Sequence, residues 1–265
     1  MRHLYLRYQK HIKLKTTRHT HLRCALIALA FLFQSSLKAQ SFYDIGTIQE
    51  IKIVFSQSNW DYMLDTAKSG SEGYLMAQTV AINGMVFDSV GVKYKGNSTY
   101  KANQNKNPWH IELDTYKTQD YQGFKDIKLS NVAKDPSFLR EVLSYEVARK
   151  YMIAPQSNYA VVFVNGTQIG LYSNSEAISK TFVKQHLFSN KETFIKGNHA
   201  AAAGPGTTDY PNLVYEGTDS TDYYAGYELK SDHGWHDLIA FTDTLKNNTS
   251  AIEEFLNVDQ TLWMH

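Results

Sequence analysis

Three lysines, a glycine turn and a helical glutamate are the residues of this sequence whose types and spacing bear on chemistry. Lys95 stands directly before Gly96, Asn97 and Ser98. A glycine turn permits close backbone approach, and the amide and hydroxyl groups beside it can donate to an anion such as a phosphate group. The same four residues also read as an ordinary strand-ending turn. Lys106 and Lys128 are the other candidate phosphate lysines, and for each of the three a solvated strand face is the competing reading. Glu141 either reaches one of these lysines or makes only a surface contact within its own helix, while Glu146 is spaced to pair with Arg149. His233 and His236, three apart between Asp232 and Asp237, read first as a solvated loop and only second as a site for a divalent transition metal. No metal ligand is assigned. The sequence lacks Gly-x-x-x-x-Gly-Lys-Ser/Thr, His-Glu-x-x-His, Gly-x-Ser-x-Gly and paired Cys-x-x-Cys, which removes the most specific nucleotide, zinc and hydrolase signatures.

The elements that must position these residues follow from periodicity. Residues 51–55 read as a strand and 58–65 as a short capped helix. Two hairpins are predicted, each turning on Asn-Gly, whose tolerance of positive φ suits a two-residue type I′ turn. The first joins 79–82 to 85–87 and runs on to Lys95; the second joins 159–164 to 167–172. Residues 109–114 and 124–129 alternate as strands. Between the hairpins lies the strongest helix signal, over 136–151, with Asp135 as cap, Pro136 where a missing N–H costs nothing, and Leu139, Val142, Leu143 and Tyr145 as its apolar face. Residues 197–206 read as a flexible connection, and 235–245 and 250–264 as helices. The expectation is an α+β fold: an antiparallel sheet over 79–176 carrying one packed, capped helix, followed by the start of a helical part.

Glycine turn, two strands, capped helix and two strands occur in the order of a protein-kinase small lobe, in which a loop covers phosphates, a strand lysine binds them and a helix glutamate holds the lysine. In that order Glu176 falls near a hinge. Any meander interrupted by a helix produces the same order, but four linked segments are more specific. They are Val90-Gly-Val-Lys-Tyr-Lys-Gly-Asn-Ser-Thr-Tyr100, Lys106-Asn-Pro-Trp-His-Ile-Glu-Leu-Asp114, Asp135-Pro-Ser-Phe-Leu-Arg-Glu-Val-Leu143 and Val164-Asn-Gly-Thr-Gln-Ile-Gly-Leu-Tyr172. Together they resemble the spore-coat protein H (CotH) family, over about residues 45 to 265. The resemblance implies an atypical protein-kinase-like fold and ATP-dependent phosphorylation of secreted or surface proteins, with Mg²⁺ as the companion ion. An inactive coat or cell-surface interaction protein on the same fold is the alternative. The resemblance also implies that the family's metal-binding and catalytic carboxylates lie beyond His265. This chain is then the nucleotide-covering half, contributing Lys95, Gly96, Asn97, Ser98, Lys106, Lys128 and Glu141. The apolar run at 259–265 has no helix stop signal, which agrees with a domain that continues.

Composition limits the remaining classes. The 265 residues are 43% hydrophobic and include a single cysteine, so neither disorder nor a disulfide framework is expected. All of Arg2, Arg7, Lys10, Lys13, Lys15, Arg18, Arg23 and Lys38 precede the first acidic residue, Asp44, leaving 19 basic and 26 acidic residues in the remainder. A nucleic-acid partner is not expected of such a surface. The basic stretch, the apolar run 24–33 and small residues at Ser36 and Ala39 form a secretory signal pattern, 1–39, with 40–265 as the exported domain. The run is shorter than the roughly 20 residues a membrane-spanning helix needs. The protein is therefore expected in the cell envelope or secreted, with a secreted or surface protein as substrate and no membrane attachment after cleavage. Amino-terminal sequencing of exported protein should begin at or close to Gln40; a mature protein that keeps Met1 contradicts the assignment.

Overall fold

The two Asn-Gly turns form as their chemistry requires. Asn83, Gly84, Asn165 and Gly166 all have positive φ, at 49°, 86°, 47° and 81°. Both asparagines also reach across to strand β1 (Ile48–Val54) or to the residue that follows it. Asn83 Oδ1 accepts the Glu50 N–H at 2.9 Å, and Asn165 Oδ1 accepts the Phe55 N–H at 2.8 Å. The hairpin turns thus serve as stays on a third strand as well as reversals of their own.

The computed structural model describes residues 41–71, 73–96, 98–187, 191–198 and 211–254. All but Ser41 of these belong to the unit Phe42–His265, distinct from Met1–Ser41. The expected signal segment, Asn97, most of the 197–206 connection and the terminal run 255–265 lie outside the described residues. After β1 come helix α1 (Trp60–Ser69), strands β2 (Leu75–Ile82), β3 (Met85–Tyr94), β4 (Trp109–Glu112) and β5 (Asp126–Ser130), and helix α2 (Arg140–Ala148). Strands β6 (Ser157–Val164) and β7 (Thr167–Glu176) follow, then helix α3 (Lys180–Leu187), a short ribbon of β8 (Ile195–Gly197) and β9 (Tyr227–Leu229), and helix α4 (Trp235–Asn247). The α+β expectation holds. Among the described residues no helix is long and apolar enough to cross a membrane.

The sheet is not open, as the sequence suggested, but a closed barrel in the order β1-β2-β3-β4-β5-β7-β6. Pairings within residues 79–176 are antiparallel as expected; closure comes from β1, which pairs in parallel with β6 from Ile48–Tyr159 to Ile53–Val164. Alternation places Ile51, Ile53, Val80, Ile82, Val90, Val92, Trp109, Ile111, Ile127, Leu129 and Val162 in the interior, each with no exposed surface. One end is plugged by Phe42 and Tyr43, held there by the buried pair Asn174 Nδ2 to Asn158 Oδ1 at 2.9 Å and by Asn158 Nδ2 donating to the Phe42 and Asp44 carbonyls. Helix α1 is tied at the Tyr94 hydroxyl, which donates to Asp61 at 2.5 Å, and Trp60 stacks on Phe55. No side-chain hydrogen bond caps α1.

Helix α2 departs from expectation in length and in rotation. It spans nine residues rather than 136–151, because Phe138 takes a φ of +62° and separates it from Pro136. Asp135 still acts as a cap at a distance, accepting the Ser137 N–H and the Arg140 N–H, the latter at 2.8 Å. Val142 is buried, but Leu139 and Leu143 are 54% and 57% exposed rather than packed on the sheet. Polar ties set this rotation: Glu141 receives Ser130 and Ser175 hydroxyls, Tyr159 donates to the Phe138 carbonyl, and Arg149 donates to the Pro155 carbonyl. Replacing Ile111 with Ala should cost about 2–5 kcal/mol, since it empties a closed interior. Leu143→Ala should change stability by less than about 0.5 kcal/mol. Urea unfolding of both variants checks this, and equal losses would mean that Leu143 is packed after all.

Candidate functional site

Cross-strand register gathers polar residues on the outer wall of the barrel. Lys93 pairs with His110, His110 with Lys128, Lys128 with Ser175, and Ser175 with Ser157, one row across five strands. Paired residues share a face. Lys95 lies two residues beyond Lys93 and so follows it on that side. His110 is itself held, with Nε2 at 2.8 Å from Asp126 Oδ1 and Nδ1 at 3.1 Å from the Tyr74 hydroxyl. The interior faces of β3, β4 and β5 are apolar, so the charged residues of this row have only the outer wall available.

Against this wall lies a cavity of about 420 Å³ whose lining includes Lys95, Lys128, Glu141, Ser175 and Glu176. Tyr145 contributes from α2, Ile178 from beyond β7, and Phe194, Ile195, Lys196 and Lys230 from the β8–β9 region. Glu141 Oε1 accepts the Ser175 hydroxyl at 2.7 Å and the Ser130 hydroxyl at 3.2 Å; the Ser175 hydroxyl also lies 2.8 Å from that of Ser157. Glu176 is almost fully buried. Its Oε2 accepts the Gln156 N–H at 3.1 Å, and its Oε1 lies 3.5 Å from His186 Nε2 on α3.

The lysines are held at an electrostatic disadvantage. Burial pushes the Lys95 ammonium below its ordinary value; Glu141 opposes this shift and Lys128 adds to it. Burial likewise lowers Lys128, which Asp126 opposes and Lys196, Lys230 and Lys93 reinforce. Neither lysine has a carboxylate within ion-pair distance among the described residues. A desolvated cation without a direct partner is costly in the empty protein and favours an anion brought to it.

Of the residues singled out from sequence, Lys95, Lys128 and Glu141 therefore come together. Gly96 follows directly, with a φ of +79°, and a Cβ there would meet Thr99 Oγ1 at 3.1 Å. Ser98 is exposed, and Asn97 lies outside the described residues. Lys106 does not line the cavity: its ammonium lies over the Phe138 and Tyr172 rings, 5.1 and 5.7 Å from their centroids. Glu146 pairs with Arg149, as its spacing suggested. His233 and His236 are exposed, and among the described residues there is no group of three or more His, Cys, Asp or Glu that could hold a metal ion. Sequence reading missed Ser130 and Ser175, whose signal was a polar residue in a strand beside a charged one, and Lys196 and Lys230, which no local pattern connects to the barrel. A larger cleft of about 780 Å³, lined by Tyr215, Asp219, Trp235, His236 and Asp243 among others, has two carboxylates and no lysine or arginine, so it is unsuited to phosphate.

The chain is thus a closed-barrel protein of mixed α and β structure, with a basic cavity on the barrel wall that a half-buried lysine and a helical glutamate both line. The family model described as CotH kinase protein matches residues 92–264, and the chain belongs to that family. The match takes in all four cavity lysines, Glu141 and all of the β8–β9 ribbon, while β1, α1, β2 and most of β3 precede it. No curated protein matches the chain.

The lowered Lys95 fixes the sign of a stability effect. With its folded pKa below the unfolded value of 10.5, the unfolded chain holds more protons between those two values, so Lys95 destabilises at neutral pH and stops doing so as pH rises toward 10.5. Lys95→Met should therefore leave stability unchanged or raise it at pH 7, and lose that advantage by pH 10. Urea titrations at the two pH values measure this; a loss of stability at pH 7 would show the charge to be well paired.

Proposed function

We propose that this protein is the nucleotide-covering part of an exported atypical protein kinase, which binds ATP and phosphorylates secreted or surface proteins. The observation that carries the reading is the convergence of Lys95, Lys128 and Glu141 in one cavity. Lys95 is the phosphate lysine, and Glu141, held by two serine hydroxyls, favours its charge from a distance. Lys128 adds a second charge from the neighbouring wall. The donor set fits a polyphosphate, because two cations lack direct carboxylate partners among the described residues and the cavity surrounds them with protein. Glu176, at the end of β7 beside Ile178, offers a buried polar strand end next to an apolar side chain, a combination suited to a nucleobase edge and face. Membership of the CotH kinase family supports ATP-dependent activity. Bound ATP would supply the transferable phosphoryl group, while this chain's residues bind and orient its phosphates in a low-dielectric site. Among the described residues there is no carboxylate set that could hold Mg²⁺.

Calorimetric titration of the full chain with ATP, followed by an assay of γ-phosphate transfer to protein, tests the reading. ATP should bind, and Lys95→Met should weaken binding about tenfold to hundredfold, the loss expected for a charge-assisted hydrogen bond of about 1.5–3 kcal/mol. Binding without transfer is what a nucleotide-covering part should give by itself, whereas transfer would show that these residues carry the catalytic groups as well. Absence of ATP binding would overturn the nucleotide reading itself.

A further inference from the structure

The β8–β9 ribbon carries a charge arrangement that the barrel site does not by itself require. Register pairs Lys196 with Glu228 across the ribbon, and Lys230 follows Glu228 by two residues, so all three side chains share one face. Glu228 is shared by both cations, with Lys196 at 3.5 Å and Lys230 in closer contact. The ribbon is anchored at its base: the Lys230 N–H donates to the Phe194 carbonyl at 2.8 Å, the Phe194 N–H to the Ser231 hydroxyl at 2.9 Å, and that hydroxyl in turn to the His233 carbonyl at 2.6 Å.

The two lysines of this face border the cavity. Lys196 and Lys230 line it together with Lys95 and Lys128, and both lie close enough to Lys128 to disfavour its charge. The lining thus holds four lysines against two carboxylates. Glu141 is already engaged by two hydroxyls, and Glu176 by a backbone amide. Glu228 compensates only one of its two lysines. Like charges gathered around a half-enclosed space repel one another, and a ligand carrying several negative charges relieves more of that repulsion than one carrying a single phosphate. Lys196 and Lys230 keep 57% and 38% of their side-chain surface exposed, so their flexible stems can follow a phosphate chain that extends away from the wall.

Resting on the reading of this cavity as a nucleotide phosphate site, we infer that the ribbon is a second phosphate clamp. Lys196 and Lys230, oriented by Glu228, grip the distal phosphates and select nucleoside triphosphates over monophosphates. The barrel-wall lysines hold the proximal end, and the ribbon lysines read chain length.

The full chain, the double variant K196M/K230M and the variant K95M are titrated calorimetrically with ATP, ADP, AMP and inorganic tripolyphosphate at fixed ionic strength without Mg²⁺. The double variant should lose about tenfold in affinity for ATP and for tripolyphosphate, an intermediate factor for ADP, and less than about twofold for AMP. Because both lysines are partly exposed, its melting temperature should match that of the parent, which separates loss of the clamp from loss of fold. A uniform loss across the series, or none, overturns the clamp. If ATP binds, K95M weakens that binding about tenfold or more and the double variant binds like the parent, the nucleotide site stands and the clamp falls. If tripolyphosphate binds in a ribbon-dependent manner while no nucleotide does, the clamp stands as a polyphosphate site and the nucleotide reading falls. If the parent binds none of the four, both fall.

Discussion

The seam between β1 and β6 is the constraint on which the arrangement depends. Those strands run parallel for six paired residues, Ile48–Tyr159 through Ile53–Val164, and they close what would otherwise be a seven-strand sheet with two free edges. Closure divides the side chains of β3, β4 and β5 into an apolar interior row and an exterior row that carries the lysines and the histidine. Asn83 and Asn165 hold β1 from the hairpin turns on its two sides, accepting the Glu50 N–H within the strand and the Phe55 N–H just after it, and the buried Asn158–Asn174 pair holds the segment that plugs one end. With the interior filled by Trp109, Ile111, Ile127 and Leu129, the alternate residues His110 and Lys128 have one possible direction, and the basic wall follows.

That wall is energetically unfavourable until something anionic meets it. Lys95 and Lys128 are partly desolvated and repel each other, while Glu141 is satisfied by Ser130 and Ser175 instead of closing onto a lysine. The serines hold the carboxylate near the lysines without neutralising them in a tight pair. Polar ties also fix the rotation of α2, at the cost of leaving Leu139 and Leu143 in solvent. A helix turned to bury those leucines would carry Glu141 away from the wall, so the exposed leucines and the placed glutamate have one cause.

The sequence by itself determined what depends on near neighbours. Asn-Gly turns, the alternation of β4 and β5, the Asp135 cap and the Glu146–Arg149 pair are all governed by local dihedral preference or by i, i+3 spacing, and each was legible residue by residue. The CotH likeness was legible too, because its segments are linear. Lys95, Lys128 and Glu141 were named from strand and helix order, although nothing local separated them from Lys106. Only the tertiary structure decided closure of the barrel, since the β1–β6 pairing joins residues more than a hundred positions apart and leaves no periodic trace in either strand. It alone decided which face of α2 is inward, because hydroxyls from β5 and β7 outweighed an apolar stripe on a nine-residue helix. It alone set Lys106 over two aromatic rings and brought Lys196 and Lys230 to the cavity, because a ribbon formed by segments some thirty residues apart acquires its position from what it packs against, and charge at a distance has no sequence period.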